Sequence, residues 1–165
     1  TQTSEHPPAN PQIGQHFVWE IVDALTKSPI WEKSALIITY DEHGGFADHV
    51  VPPTACHPDT GDPVDADAAA LGTFDRLGIR VPLIVVSPFA KKHFVSHSVT
   101  DHASVLRFVQ ARFGLPALSS RDANATALMD LFDSETAPHN TPPSFPEPPV
   151  HPAKVAECEQ AFPGG

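Results

Sequence analysis

The sequence predicts an α/β fold with parallel strands, and three observations carry that expectation. The elements follow in the order helix, strand, long loop, strand, helix, a grammar that joins parallel strands through right-handed crossovers. Both strand candidates, Ala35 to Tyr40 and Arg80 to Ser87, are continuous apolar runs and do not alternate, the pattern of strands covered on both faces. Two such strands alone would leave their edges exposed, so the chain reads as part of a larger α/β domain.

The elements can be justified in order. Glu5-His6-Pro7-Pro8 is a stiff polar loop, because each proline fixes its own backbone and pushes its predecessor towards extended geometry. Asn10-Pro11 supplies a helix cap and a proline at the first helical position. Ile13, Phe17, Ile21 and Leu25, with Val18 and Val22 beside them, give an amphipathic helix to about Lys27, and Ser28-Pro29 stops it. Trp31 then packs at the turn into the first strand.

Val51 to Thr73 is a long loop rich in proline and aspartate, of a length that in compact domains is usually functional or disordered. The second strand ends at Pro88. Thr100 or Asp101 caps a helix whose core face is Val105, Phe108, Val109 and Phe113, ended by Gly114 and Pro116. A shorter helix is expected from Asn124 to Phe132. From Thr136 onward eight of thirty residues are proline, which predicts a wrapped or mobile tail with little secondary structure. The chain thus divides into a domain portion, residues 1–135, and a proline-rich tail, 136–165.

Composition narrows the function. The 165 residues carry a formal charge of -10 with the few basic residues scattered, which argues against nucleic acid, whose phosphates need clustered Lys and Arg. The longest apolar runs are strand-sized, so no transmembrane segment is expected. Cys56 and Cys158 lack the CxxC spacing of a zinc site and can form one bridge or stay free. Ten histidines are dispersed without His-x-His clustering, which places a metal-buffering protein last.

Chemistry gathers where the first strand ends, in Tyr40-Asp41-Glu42-His43-Gly44-Gly45. In open parallel sheets ligands sit beyond the carboxyl ends of the strands. Asp41 and Glu42 are hard oxygen donors for a divalent cation, or they cap a following helix or are simply solvated. The two glycines favour the first reading, because they let backbone approach a bound group. If a strand precedes His6, helix geometry returns the chain so that His6 and Asp41 share one edge; otherwise His6 is structural. Asp48 can orient His49 as a proton donor to a leaving oxygen, or His49 packs in the turn. For Asp101-His102, at a helix start, capping is the favoured role. Cys56-His57 lacks further ligands at metal spacing.

These residues carry a pattern. Glu5-His6-Pro7-Pro8, Ser28 to Lys33, Thr39 to Val50, Gly78 to Pro82, Ser87 to Lys91, Asp101 to Phe108 and Arg121 to Ala125, in that order over residues 1–133, resemble the bacterial phosphoesterase family of non-haemolytic phospholipases C and acid phosphatases. The resemblance implies an alkaline phosphatase-like α/β/α sandwich with a mainly parallel central sheet. It also implies metal-assisted hydrolysis of a phosphomonoester, or of a phosphodiester such as a phospholipid head group.

By resemblance Asp41 and Glu42 are metal ligands, for Ca, Mg, Mn, Zn or Fe, and His6 is an active-site histidine near the phosphate. His49 is a less firm candidate for the same work, and His43 takes no role. The family's early Glu-Asn metal motif and its Ser or Thr nucleophile fall upstream of the matched region, so the chain resembles the carboxyl-terminal portion of such an enzyme. Alone it is expected to be inactive, with the missing amino-terminal portion as a partner. The family resemblance also favours export, to the periplasm or the medium. The competing expectation is a non-catalytic remnant that binds a metal or a partner chain through its unpaired sheet.

Overall fold

The computed structural model describes residues 3–56, 74–135 and 138–163. The elements are α1 (Pro11–Thr26), β1 (Leu36–Thr39), β2 (Leu83–Val86), α2 (His102–Phe113), α3 (Ser120–Ala123) and α4 (Pro152–Ala161), with 3-10 turns at Trp31–Lys33 and Met129–Leu131. They fall into two compact units. The first comprises Thr1–Leu36, Val85–Phe89 and Thr136–Gly165, the second Ile37–Ile84 and Ala90–Glu135.

The sheet corrects the expected fold. It has two strands, β1 and β2, and they run antiparallel. At one end the Ser87 hydroxyl donates to the Ser34 carbonyl at 2.8 Å, and at the other the Thr39 hydroxyl donates to the Pro82 carbonyl at 2.9 Å. A mainly parallel, alkaline phosphatase-like α/β/α sandwich is therefore not what these residues build. Parallel pairing needs a crossover connection, usually a helix, and the described residues between β1 and β2 contain none. The apolar runs misled for a second reason: no residue of either strand is fully covered, and Ile84 is 54% exposed.

In the first unit, α1 begins as its sequence dictates, with the Asn10 side chain accepting from the Gln12 N–H at 3.0 Å and proline in the first turn. Val22 is buried, but Phe17 and Ile21 remain exposed, so only part of the apolar face is used. Trp31 is buried, and its indole N–H donates to the His139 carbonyl at 3.4 Å.

That bond belongs to the tail, which takes the wrapped form of the two expected and departs from expectation in carrying a helix. The Trp19 indole donates to the Phe145 carbonyl at 3.3 Å, and the His16 ring meets the Glu147 carboxylate at 3.0 Å. The His151 N–H donates to the Gln12 side chain at 2.9 Å. Proline-rich backbone has no internal hydrogen bonds, and here α1 supplies partners. Past the proline run, Pro152 opens α4 at the first helical position, and alanine, lysine and glutamate are good helix formers that continue it.

In the second unit, Asp101 and Ser104 form a reciprocal capping box at the start of α2, and Gly114 ends the helix in the left-handed region at φ 65°. Phe108 stacks on Phe132 with centroids 4.9 Å apart, whereas Phe113 of the expected core face is 66% exposed. The expected helix from Asn124 to Phe132 is absent. A capping box between Ser119 and Asp122 starts α3 earlier, and Leu128, fully buried, has φ 55°, which breaks helical backbone before the 3-10 turn. The ends of the long loop are tied by an antiparallel bridge between Thr54 and Arg76. Residues 57–73, which hold the acidic stretch and His57, lie outside the described residues.

Candidate functional site

The strand end behaves as a tight polar corner. After Thr39 the chain turns through Asp41 and Glu42, both exposed. The Asp41 carboxylate accepts the Glu42 N–H at 3.1 Å, and the Glu42 carboxylate accepts the Gly44 N–H at 2.7 Å. Gly44 and Gly45 have φ of 65° and 77°, so both use the left-handed freedom that glycine provides. The His43 ring contacts the Phe46 carbonyl at 2.8 Å, an internal brace for the turn.

Two adjacent carboxylates on a glycine turn fit one side of the oxygen shell of a hard divalent cation. Among the described residues, no three His, Cys, Asp or Glu side chains are grouped so as to hold a metal.

Asp48 is committed elsewhere than to a histidine. The Arg80 guanidinium donates to both its oxygens, Nε at 2.7 Å and an Nη at 2.8 Å, and the Val50 N–H adds a third bond at 3.0 Å. These bonds, led by the Arg80 side chain, hold the Asp48 carboxyl well below the ordinary carboxylate range. His49 Nδ1 lies 3.7 Å from Asp48, beyond hydrogen-bond reach, and its side chain is 90% exposed. Arg80 escaped the sequence reading because it is 32 residues from Asp48, with no local signal joining them.

His6 belongs to the first unit, and Asp41, Glu42 and His49 belong to the second. The His6 ring contacts the Pro7 carbonyl through Nδ1 at 2.6 Å, and its backbone N–H donates to the Ser4 hydroxyl at 3.2 Å. Glu5 lies over α1 at Gly14, where a Cβ would come within 2.2 Å of the Glu5 side chain. The same loop meets α4, with the Cys158 thiol directed at the Pro8 carbonyl at 3.4 Å. Both cysteines are free thiols.

A cavity of about 570 Å³ opens in the second unit beside the acid corner, lined by Thr39, Val50 to Pro53, Leu77 to Val81, Leu83, Ser96 to His102 and Val105. His102 borders it, and its Nε2 contacts the Tyr40 carbonyl at 2.8 Å, one residue before Asp41. Of the Asp101-His102 pair, for which capping is expected, Asp101 caps α2, while His102 reaches back to the strand end.

Comparison with known proteins identifies the family. A model described as the phosphoesterase family matches residues 1–116, a span that holds the glycine corner, Asp48, Arg80, the cavity and the His6 loop. Phospholipase C B of Mycobacterium tuberculosis is 34% identical over 170 residues, covering 94% of this chain and 32% of the relative. Non-specific phospholipase C1 of Arabidopsis thaliana is 38% identical over 154 residues, covering 87% and 29%. Non-hemolytic phospholipase C of Pseudomonas aeruginosa is 37% identical over 163 residues, covering 87% and 23%. The chain spans at most about a third of the length of these relatives. With the family match covering most of its residues, the chain belongs to the phosphoesterase family.

Proposed function

We propose that this chain serves a metal-dependent hydrolase of phosphoric esters, with residues 1–135 as the carboxyl-terminal portion of the phosphoesterase domain. The observation that carries the reading is the Asp41-Glu42 pair at the end of β1, set on two left-handed glycines inside the family-matched span. The relatives' names point to a phospholipid head-group diester, and a phosphomonoester is the narrower alternative.

Asp41 and Glu42 would hold the cation, with Ca, Mg, Mn, Zn and Fe as candidates. A cation there would supply charge neutralisation at phosphate oxygens and a lowered pKa for an attacking hydroxyl. His6 and His49, both exposed, donate to phosphate oxygens or protonate the leaving group. The nucleophile and the Glu-Asn pair come from the additional length that the relatives possess, and the site of action is exported.

The test is hydrolysis of p-nitrophenyl phosphate by the 165-residue chain and by the same chain joined to a family upstream segment, each with divalent cations supplied in turn. The longer protein is expected to turn over and to lose activity in Asp41→Ala. Turnover by the short chain alone, abolished by Asp41→Ala, would overturn its expected inactivity. Silence of the longer protein with every cation would sink the hydrolase reading.

A second reading, a non-catalytic remnant that binds metal or a partner chain, is favoured by one observation: the strands are half-exposed and Ile84 is uncovered. The same pair of proteins separates the two, because a remnant gains nothing from the upstream segment.

A further inference from the structure

The loop that carries His6 is held through its carbonyls. Pro7 and Pro8 have no backbone N–H, so their backbone can be tied down only by what it accepts. The His6 carbonyl accepts the Ala9 N–H at 2.9 Å, and the Pro7 carbonyl meets the His6 ring at Nδ1 at 2.6 Å. Both bonds are local, whereas the Pro8 carbonyl is reached from α4, by the Cys158 thiol at 3.4 Å. A carbonyl only accepts, so Nδ1 of His6 carries the ring proton and Nε2 is the basic nitrogen of the neutral imidazole.

Cys158 does not act alone. The Asn10 side chain accepts the Gln12 N–H through Oδ1 at 3.0 Å and donates through Nδ2 to the Lys154 carbonyl at 3.4 Å. Gln12 Oε1 accepts the His151 N–H at 2.9 Å. His151, Lys154 and Cys158 follow at spacings of three and four, which places them along one face of α4 and its cap. Their partners Gln12, Asn10 and Pro8 come in the reverse order, towards His6. Upstream in the tail the same order holds, with His139 on Trp31, Phe145 on Trp19 and Glu147 on His16. The tail is laid antiparallel to residues 8–31 in one register, and that register ends on the His6 loop.

We infer that α4 is a clamp on this loop, with Asn10, Gln12 and Cys158 as positioning residues that fix the Pro7 carbonyl and, through it, the direction of His6 Nε2. Each contact is modest, so the effect is on orientation more than on stability, and a displacement of about 1 Å at a working group can cost up to ~100-fold in rate. The task of His6 rests on the hydrolase reading, while the clamp is read on the ring itself.

The ring nitrogens of His6 are followed by NMR in the 165-residue chain. Asn10→Asp keeps the cap on α1, where aspartate serves as well as asparagine, and removes the donor to Lys154. Cys158→Ala removes the donor to Pro8. The double variant of these two is expected to move the His6 nitrogens from the Nδ1–H tautomer towards a mixture of both, with the thermal midpoint and the amides of residues 13–26 unaltered. Gln12→Met, which lacks the acceptor for the His151 N–H, should move them in the same direction, and Gln12→Glu, which keeps an acceptor, should match the wild type. In the chain joined to a family upstream segment, the double variant should lower kcat at least about threefold with KM unchanged.

Unmoved His6 nitrogens, equal shifts in Gln12→Met and Gln12→Glu, or a fall in thermal midpoint that accompanies the ring shift would each overturn the inference. Unaltered kcat in an extended protein whose ring has shifted would also overturn it and leave hydrolysis standing. The expected ring shifts in a protein whose extended form never turns over would sink the hydrolase reading and leave the clamp.

Discussion

Asp48 and Arg80 form a two-point ion pair across 32 residues, with the carboxylate almost covered at 10% exposure and the guanidinium reaching over it from the cavity wall. The pair ties the segment after the glycine turn to the approach of β2. Two parallel N–H···O bonds fix direction as well as distance, so the pair sets where His49 and Val50 stand.

The pH dependence follows from the depressed Asp48 pKa. Its ionised form is favoured in the folded chain, so the pair's contribution is complete above the ordinary value of 3.8 and is lost as acid titrates through the lower folded value. A carboxyl carbon NMR titration of Asp48 should show no protonation at pH 4. Asp48→Asn, which keeps an acceptor for the Val50 N–H, should raise amide exchange across residues 46–52 at neutral pH. A titration midpoint at the ordinary value would contradict this.

Gly45 offers a cleaner probe of the corner. A Cβ there meets nothing within 4 Å, yet φ is 77°, so the cost of a side chain is conformational and not steric against neighbours. Gly45→Ala is expected to destabilise the turn by roughly 1–2 kcal/mol, measured by urea unfolding, and Gly45→Asn by less, because asparagine tolerates that region. Equal effects of the two substitutions would place the cost elsewhere.

Glu5 and Gly14 make a testable couple in the first unit. Gly14→Ala in the wild-type background brings Cβ to 2.2 Å from Glu5 Cγ and should displace the Glu5-His6 loop. Placed in a Glu5→Ala background, the same change should instead stabilise α1 by up to about 1 kcal/mol, the helix preference of alanine over glycine. Thermal unfolding of the four proteins of this cycle reads the sign directly. A loss in both backgrounds would mean that the close approach is not what selects glycine.

Legibility followed the range of the interaction. The start of α1 at Asn10-Pro11, the cap at Asp101, the stop at Gly114 and the positive φ at Gly44 and Gly45 are written within a few residues of where they act, and each was found there. The helix expected from Asn124 failed because the capping box at Ser119 and Asp122 competes with it one turn earlier. For the tail, proline composition reports the loss of internal hydrogen bonds; which of the two expected forms it takes, wrapped or mobile, is decided by the Trp19, Gln12 and His16 side chains on α1.

The sequence by itself determined the family, the acid pair and its glycine turn, since these rest on residue types at fixed short spacings. Tertiary structure decided the direction in which β1 meets β2, the choice of Arg80 over His49 as partner for Asp48, the reach of His102 to Tyr40 and the cavity between them. Each of these joins residues more than thirty positions apart. Apolar runs and charges state that partners are needed, and only the path of the chain selects which partners are met.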